Sequence, residues 1–280
     1  MLHRSSIGAL ALAALCLGIT GAAAFDDATY PDWKGQWSRI GSGNWDPTKP
    51  RGVGQQAPLT AEYQAVLDAS LTDQDRGGQG NDPGYRCSPH GMPRSMIGIL
   101  PMEFVVRPDT TYVVLELFSQ MRRIYTDGRA WPGEITPSSL GYSIGGWLDA
   151  DGGGRYDTLT VETRGLKGPR SYDSSGIPFH ADGQTVVKER ISLDKTNRNI
   201  MRNEITTIDH ALTRPWTVTR SYKRDPSPQP VWVENVCSED NHHVVIANEN
   251  YLINEADGRL MPVRKGQPPP DLRKFDLPPR

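Results

Sequence analysis

The sequence has no excess of charge of either sign. Its 31 Lys and Arg stand against 33 Asp and Glu, and no block of like charges interrupts the mixture. That balance excludes the electrostatic footprint of a nucleic-acid binder and the polybasic strip of a membrane-surface protein. The H-E-x-x-H, dinucleotide and Walker fingerprints are missing as well. The one extended apolar run, Ile7 to Thr20, is shorter than the roughly 20 residues that a membrane-spanning helix needs. No cofactor and no metal are expected, and partners are sought among small molecules or other proteins.

That short run belongs to a leader. A basic start at His3-Arg4, the apolar stretch and the small residues Gly21-Ala22-Ala23-Ala24 read as a secretory signal peptide, residues 1–24, cut after Ala24. Leu15 ahead of Cys16 is a poor lipoprotein site, so a soluble periplasmic or secreted protein is expected rather than a lipid-anchored one. After processing two cysteines remain, Cys87 in YRCSPHGMPR and Cys237 in ENVCSEDN. An even number in an oxidising compartment predicts one disulfide, with two unpaired thiols as the alternative.

Behind the leader lie three regions: an N-terminal extended segment with one helix (25–101), a β core (102–224), and a C-terminal wrap with a Pro-rich tail (225–280). In PLTAEYQAVLDASL, Thr60 is placed to cap a helix whose Tyr63, Val66, Leu67 and Leu71 share a face, and TDQDRGGQGNDPG ends it. From residue 102 the period shortens. MEFVVRP, TYVVLELF, MRRIYTD, DTLTVETRG, QTVVKERISL, NIMRNEITTID and WTVTRSYKR are rich in β-branched and aromatic residues and are separated by turn clusters. TLTVET and EITTID alternate apolar with polar residues, as half-buried antiparallel strands require. The fold class is therefore mainly β. An antiparallel meander of this kind is expected to close into a barrel, which removes edge strands, with a sandwich as the alternative. Beyond Arg224, VVIANENYLINEA has helical composition, and KGQPPPDLRKFDLPPR is too rich in proline for a central strand.

The charges concentrate in SQMRRIYTDGRAWPGE. On a strand Arg122 and Ile124 point one way, Arg123 and Tyr125 the other. One arginine then faces the interior, where burial without a partner would be prohibitive. Glu116, on the preceding strand, is the expected partner across a hairpin turning near Phe118. Asp127-Gly128 reads as a tight turn with Arg129 just beyond it. A ladder of cross-strand ion pairs would explain these residues without any ligand. The functional reading makes Arg122, Arg123, Tyr125, Arg129 and Glu116 polar contacts of a small-molecule site. Trp147 either lines the same cavity or fills the core.

His180, in the loop GIPFHADGQ, is the side chain best suited to proton transfer, with Asp127 or Asp173 as its charge partner. The insertion DADGGGRYD carries Asp149, Asp151 and Asp157, but its spacing departs from a calcium loop where the bidentate Glu should be, so a hairpin tip is expected. His242 and His243 beside Cys237 do not match a zinc spacing.

The chain resembles a family of exported bacterial proteins of unassigned function. The likeness lies in Pro58–Ala65, Cys87–Arg94, Arg122–Arg129, Ser143–Trp147, Asp157–Thr163, Glu189–Ile191, Thr207–Trp216 and Cys237–Asn241. Two departures are the 149–157 insertion and His210, which replaces a turn proline and so reads as a turn residue. A smaller likeness, Gly35 and Trp37 in DWKGQW, is to the first strand of lipocalins and implies a barrel with a cavity.

The expected function is binding of an apolar or amphipathic small molecule by a lipocalin-like barrel. The alternative is a cofactor-independent acid-base enzyme in the same barrel, with His180 as acid or base, Asp127 orienting it and an arginine stabilising an oxyanion. A third class is an envelope protein that binds a partner through its Pro-rich tail.

Overall fold

A computed structural model describes residues 27–41, 57–240, 242–247 and 249–274. The expected leader, 1–24, lies outside them, as do residues 42–56 and the last six of the tail. Nine strands form a closed barrel: β1 (Gln36–Arg39), β2 (Met102–Val106), β3 (Thr110–Leu115), β4 (Gln120–Tyr125), β5 (Tyr142–Leu148), β6 (Thr158–Arg164), β7 (Val186–Leu193), β8 (Ile200–Ile208) and β9 (Trp216–Arg224). All seven expected segments become strands. Along β7 the buried Val187, Glu189, Ile191 and Leu193 alternate with outward residues, and β8 repeats this with Met201, Asn203, Ile205 and Thr207. A two-residue period puts one face inward and leaves the other to solvent.

Two further strands complete the ring. β1 comes from the N-terminal segment and pairs on one side with β2 and on the other with β9, so the barrel is not confined to 102–224. β5 is obscured in the sequence by Gly145 and Gly146. A Cβ at Gly145 would lie 2.7 Å from Ile124 Cγ2 and 2.8 Å from the Thr160 carbonyl, so glycine is what permits this close approach.

One pairing corrects the expected antiparallel meander. β4 and β5 run parallel, with Ile124 opposite Ser143. The proline-bearing connection 126–141 returns the chain to the same end before β5 starts, as a parallel pair requires.

The helix, α1 (Ala61–Asp75), begins at Thr60, whose Oγ1 accepts a bond from the Tyr63 amide. Its inward face is Leu67, Ser70 and Leu71, and Val66, expected to share it, is exposed. The start of the helix is tied to the β8–β9 turn through Thr60 N to the Ala211 carbonyl, 2.9 Å.

Beyond the barrel, Cys237–Asp240 makes one helical turn, α2, and VVIANENYLINEA is not helical. It forms β10 (His243–Ile246) and β11 (Glu249–Ile253), joined by β12 (Leu260–Pro262) in a second, three-stranded sheet. The run Val244-Val245-Ile246 is β-branched, and Ala247 turns with φ +52°, so two strands fit where one helix was expected. This sheet and the tail after it dock on α1 and β11: Lys265 N donates to the Arg76 carbonyl at 2.9 Å, and Tyr251 Oη to the Pro268 carbonyl at 3.2 Å. Cys87 and Cys237 form the expected disulfide, with Cα atoms 5.5 Å apart. Among the described residues no helix is long and apolar enough to cross a membrane.

Candidate functional site

The two arginines of β4 part as strand geometry demands. Arg122 is fully buried inside the barrel and Arg123 is outside. Arg122 donates to Ser143 Oγ (3.2 Å), Thr163 Oγ1 (2.8 Å) and Glu189 Oε2 (2.5 Å), and Asn203 Nδ2 donates to Glu189 Oε1 (2.9 Å). The partner of Arg122 is thus Glu189 of β7. Glu116 is not its partner: it sits in the β3–β4 turn and accepts a bond from Val233 N through Oε1. The reason is register, since Val113 stands opposite Arg122 and leaves Glu116 beyond the strand end. Glu189 is legible in the sequence only as a charged residue at an inward position of an alternating strand. Because the pair reaches across the lumen from β4 to β7, it fills the space in which a lipocalin-like cavity was expected.

Ser143 belongs to the same layer, and it is the middle of a G-x-S-x-G string, Gly141–Gly145, so this hydrolase fingerprint, which was expected to be absent, is present in the sequence. In hydrolases that string sits on a sharp strand-to-helix turn with an exposed hydroxyl. Here Ser143 lies within β5, buried, and shares a 2.8 Å bond with Thr163 Oγ1. It is a structural hydroxyl of the polar layer.

On the outer surface, Arg129 clamps Asp127 with bonds of 2.7 to 3.0 Å and stacks over Tyr125, its guanidinium carbon 3.8 Å from the ring centre. Tyr125 in turn meets Tyr142, with ring centres 5.0 Å apart. The outward charges of this stretch therefore form a wet cation-aromatic face. Trp147 points inward at the opposite end, against Trp33 (4.8 Å) and Tyr30 (5.3 Å), as core filling.

His180 does not meet Asp127 or Asp173. Asp127 is engaged by Arg129, and the carboxylate beside His180 is Asp182, at 3.2 Å, shared with His210 at 2.5 Å. His210 is in the β8–β9 turn, as expected of a turn residue. In the 149–157 insertion, Asp149 accepts from the Gly153 and Gly154 amides and Asp157 from the Ala150 and Asp151 amides. The carboxylates thus close their own hairpin tip.

One mouth of the barrel carries a different constellation. Segments 92–97 and 170–180 cover it, fastened by Tyr222 Oη to the Met96 carbonyl (2.6 Å), Arg220 Nη2 to Tyr172 Oη (2.9 Å) and the Tyr172–Trp216 ring contact (4.5 Å). Between this cap and the rim lies a cleft of about 260 Å³, lined by Arg39 from the end of β1, His90, Arg94, Ile97, Ile99, Leu117 and Asp173. The turn CSPHGMPR supplies two of these side chains. Gly91 has φ +68°, and a Cβ there would come 2.5 Å from the Ser139 carbonyl, so only glycine lets the turn seat against the barrel.

The electrostatics of the cleft are uneven. Arg94 forks onto Asp82 at 2.5 and 3.0 Å and also donates to Ser171 Oγ (2.8 Å). Burial alone would raise the Asp82 carboxyl, but the bonds and charge of Arg94 outweigh it and leave the group below the usual carboxylate range. Asp173 is only 2 % exposed. Its Oδ1 accepts from Ser175 N (2.9 Å) and Ser175 Oγ (2.5 Å), while Oδ2 has no hydrogen-bond partner among the described residues. Burial pushes Asp173 up to about 6, against the Ser175 bonds and the charges of Arg94 and Arg220. Burial, and then the Arg94 charge, pull His90 down to about 4, so its imidazole is neutral at neutral pH. Its Nδ1 is buried and has no hydrogen-bond partner among the described residues.

The same cleft is also lined by Ile97, Leu117 and Ile99, the last 75 % exposed. The arrangement can hold a polar head at Asp173 and His90 and an apolar body along the isoleucines. It can also hold and release a proton near neutral pH. Sequence reasoning names Asp173 only as a candidate charge partner of His180, and it does not single out His90. The signal available was the density of special backbone in CSPHGMPR, a polar turn that the barrel must bury.

Fold and site together define a β-barrel protein with a capped mouth and an amphipathic cleft at the edge of the cap. No known protein-family model matches the chain, and no curated protein matches it in sequence.

Proposed function

We propose that this is an exported protein, periplasmic or secreted, that binds a small amphipathic molecule in the mouth cleft rather than in the barrel lumen. The observation that carries the reading is Asp173, buried to 2 % exposure with Oδ2 unpartnered among the described residues, in a cleft that Ile97, Ile99 and Leu117 also line. Leaving a buried oxygen without a partner costs about 1–3 kcal/mol, a cost that a ligand hydroxyl or carboxyl would recover. The Cys87–Cys237 disulfide, the leader-like N-terminus and the motif likeness to exported bacterial proteins support export.

The test is native mass spectrometry of the processed protein, solvent extraction of anything retained, and calorimetric titration with decanol and decanoate. Binding weakened about tenfold by Asp173→Asn and by Ile99→Asp supports the reading, since tenfold corresponds to roughly one lost hydrogen bond or apolar contact. Binding unaffected by both would move the ligand elsewhere. A protein that retains nothing and takes up neither probe would remove the carrier reading.

An acid-base enzyme in the same cleft is the second reading. It is favoured by two titratable groups displaced toward each other's range, Asp173 upward and His90 downward, beside guanidinium groups. Turnover of the retained compound with a pH profile that Asp173→Asn abolishes would select it.

A further inference from the structure

The geometry points to a divalent metal site at His180, Asp182 and His210, of a kind suited to zinc, separate from the mouth cleft. Each of these side chains offers one ligand atom, and those atoms lie within 4.8 Å of one another. Two imidazoles and a carboxylate are the donors of zinc and related late first-row ions, whereas magnesium and calcium take oxygen ligands throughout.

The convergence is built from outside the cluster. Asp209, buried beneath it, accepts from the His180 amide (2.8 Å) and the Ala211 amide (2.8 Å) through Oδ1, and from Thr185 Oγ1 (2.5 Å) through Oδ2. One carboxylate thus locks the loop that carries His180 and Asp182 to the turn that carries His210. Tyr63 of α1 lays its ring 5.7 Å from that of His180 and walls one side. A loop and a turn apart in sequence are therefore held at ligand distance by a buried clasp.

Both imidazoles converge through Nδ1 on one oxygen, Asp182 Oδ2. The Asp182 amide also donates to His180 Nδ1 at 3.1 Å, so an ion at that nitrogen would displace this hydrogen bond. The three side chains are 38, 21 and 63 % exposed, so the remaining coordination positions open to water.

The experiment is titration of untagged, chelator-treated protein with zinc by calorimetry, and with cobalt by visible absorption. One equivalent bound with micromolar affinity or tighter, weakened about tenfold or more by His180→Asn and by His210→Asn, is the expected result. The same affinity in His243→Asn would assign the binding to this cluster rather than to the C-terminal histidines. Circular dichroism of each variant separates lost ligands from lost fold, and the exposure of His210 makes its variant the safer of the two. No saturable zinc binding, or binding that His210→Asn leaves intact, would overturn the site.

Discussion

Asp173 and His90 oppose each other in their effect on stability. Folded Asp173 holds its proton to about pH 6, against about 3.9 in an unfolded chain. Between those values the folded state binds more protons, so this group makes stability fall as pH rises through the window, by up to roughly 3 kcal/mol. Folded His90 stays neutral down to about pH 4, against about 6.5 unfolded. There the unfolded state binds more protons, and stability rises with pH. Over the shared interval the two slopes cancel in part. Urea titrations at about pH 4.5 and about pH 7.5 should therefore find Asp173→Asn more stable than the parent at the higher value. His90→Gln should be the more stable of the two proteins at the lower value. A parent and variants with superimposable pH profiles would remove both groups from consideration.

Strands are easier to read than their exceptions. Seven segments announce themselves through β-branched residues and alternation, because a barrel wall needs one apolar face. β5 does not, because the close approach of its neighbours demands glycine where a strand would ordinarily show a large residue. The C-terminal hairpin is hidden for a different reason, since Ala247, Glu249, Leu252, Glu255 and Ala256 are helix formers and outweigh the β-branched run beside them. Register explains the site residues in the same way. Arg122 and Arg123 fall on opposite faces as the period requires, but the residue that meets the inward one lies 67 positions later in β7, beyond the reach of local pattern. The cleft depends on a turn, a cap and a strand end meeting in space, and no period records that. At this scale Gly145→Val is the informative change. Its side chain would enter the space of Ile124 and the Thr160 carbonyl, and a loss of about 1–3 kcal/mol or more in chemical denaturation is expected. A variant of unchanged stability would mean that β5 can move away from its neighbours freely.

Across the whole molecule, one covalent bond joins the segment ahead of β2 to the segment behind β9. Cys87 and Cys237 are separated by 150 positions, and His90 lies three residues beyond the first of them. The segment around the second also runs past the β3–β4 turn, where Asn235 Oδ1 accepts from the Phe118 amide at 3.0 Å. Cys87→Ser, paired with Cys237→Ser to avoid a stray thiol, should cost about 2–5 kcal/mol. It should also loosen the CSPHGMPR turn, so hydrogen exchange there should rise more than in β7 or β8. Equal protection in the double variant would make the bond irrelevant to the cleft.

β1 is the first strand of the barrel and pairs with the last, Trp37 opposite Arg224. A chain that emerges N-terminus first can pair β1 with β2 early, but it cannot close the ring until β9 has appeared. Until then the other side of β1 is a raw edge, open to pairing with any extended segment nearby. The protein's exposure to aggregation is thus concentrated in the interval of its own synthesis, and it ends with the arrival of a single strand.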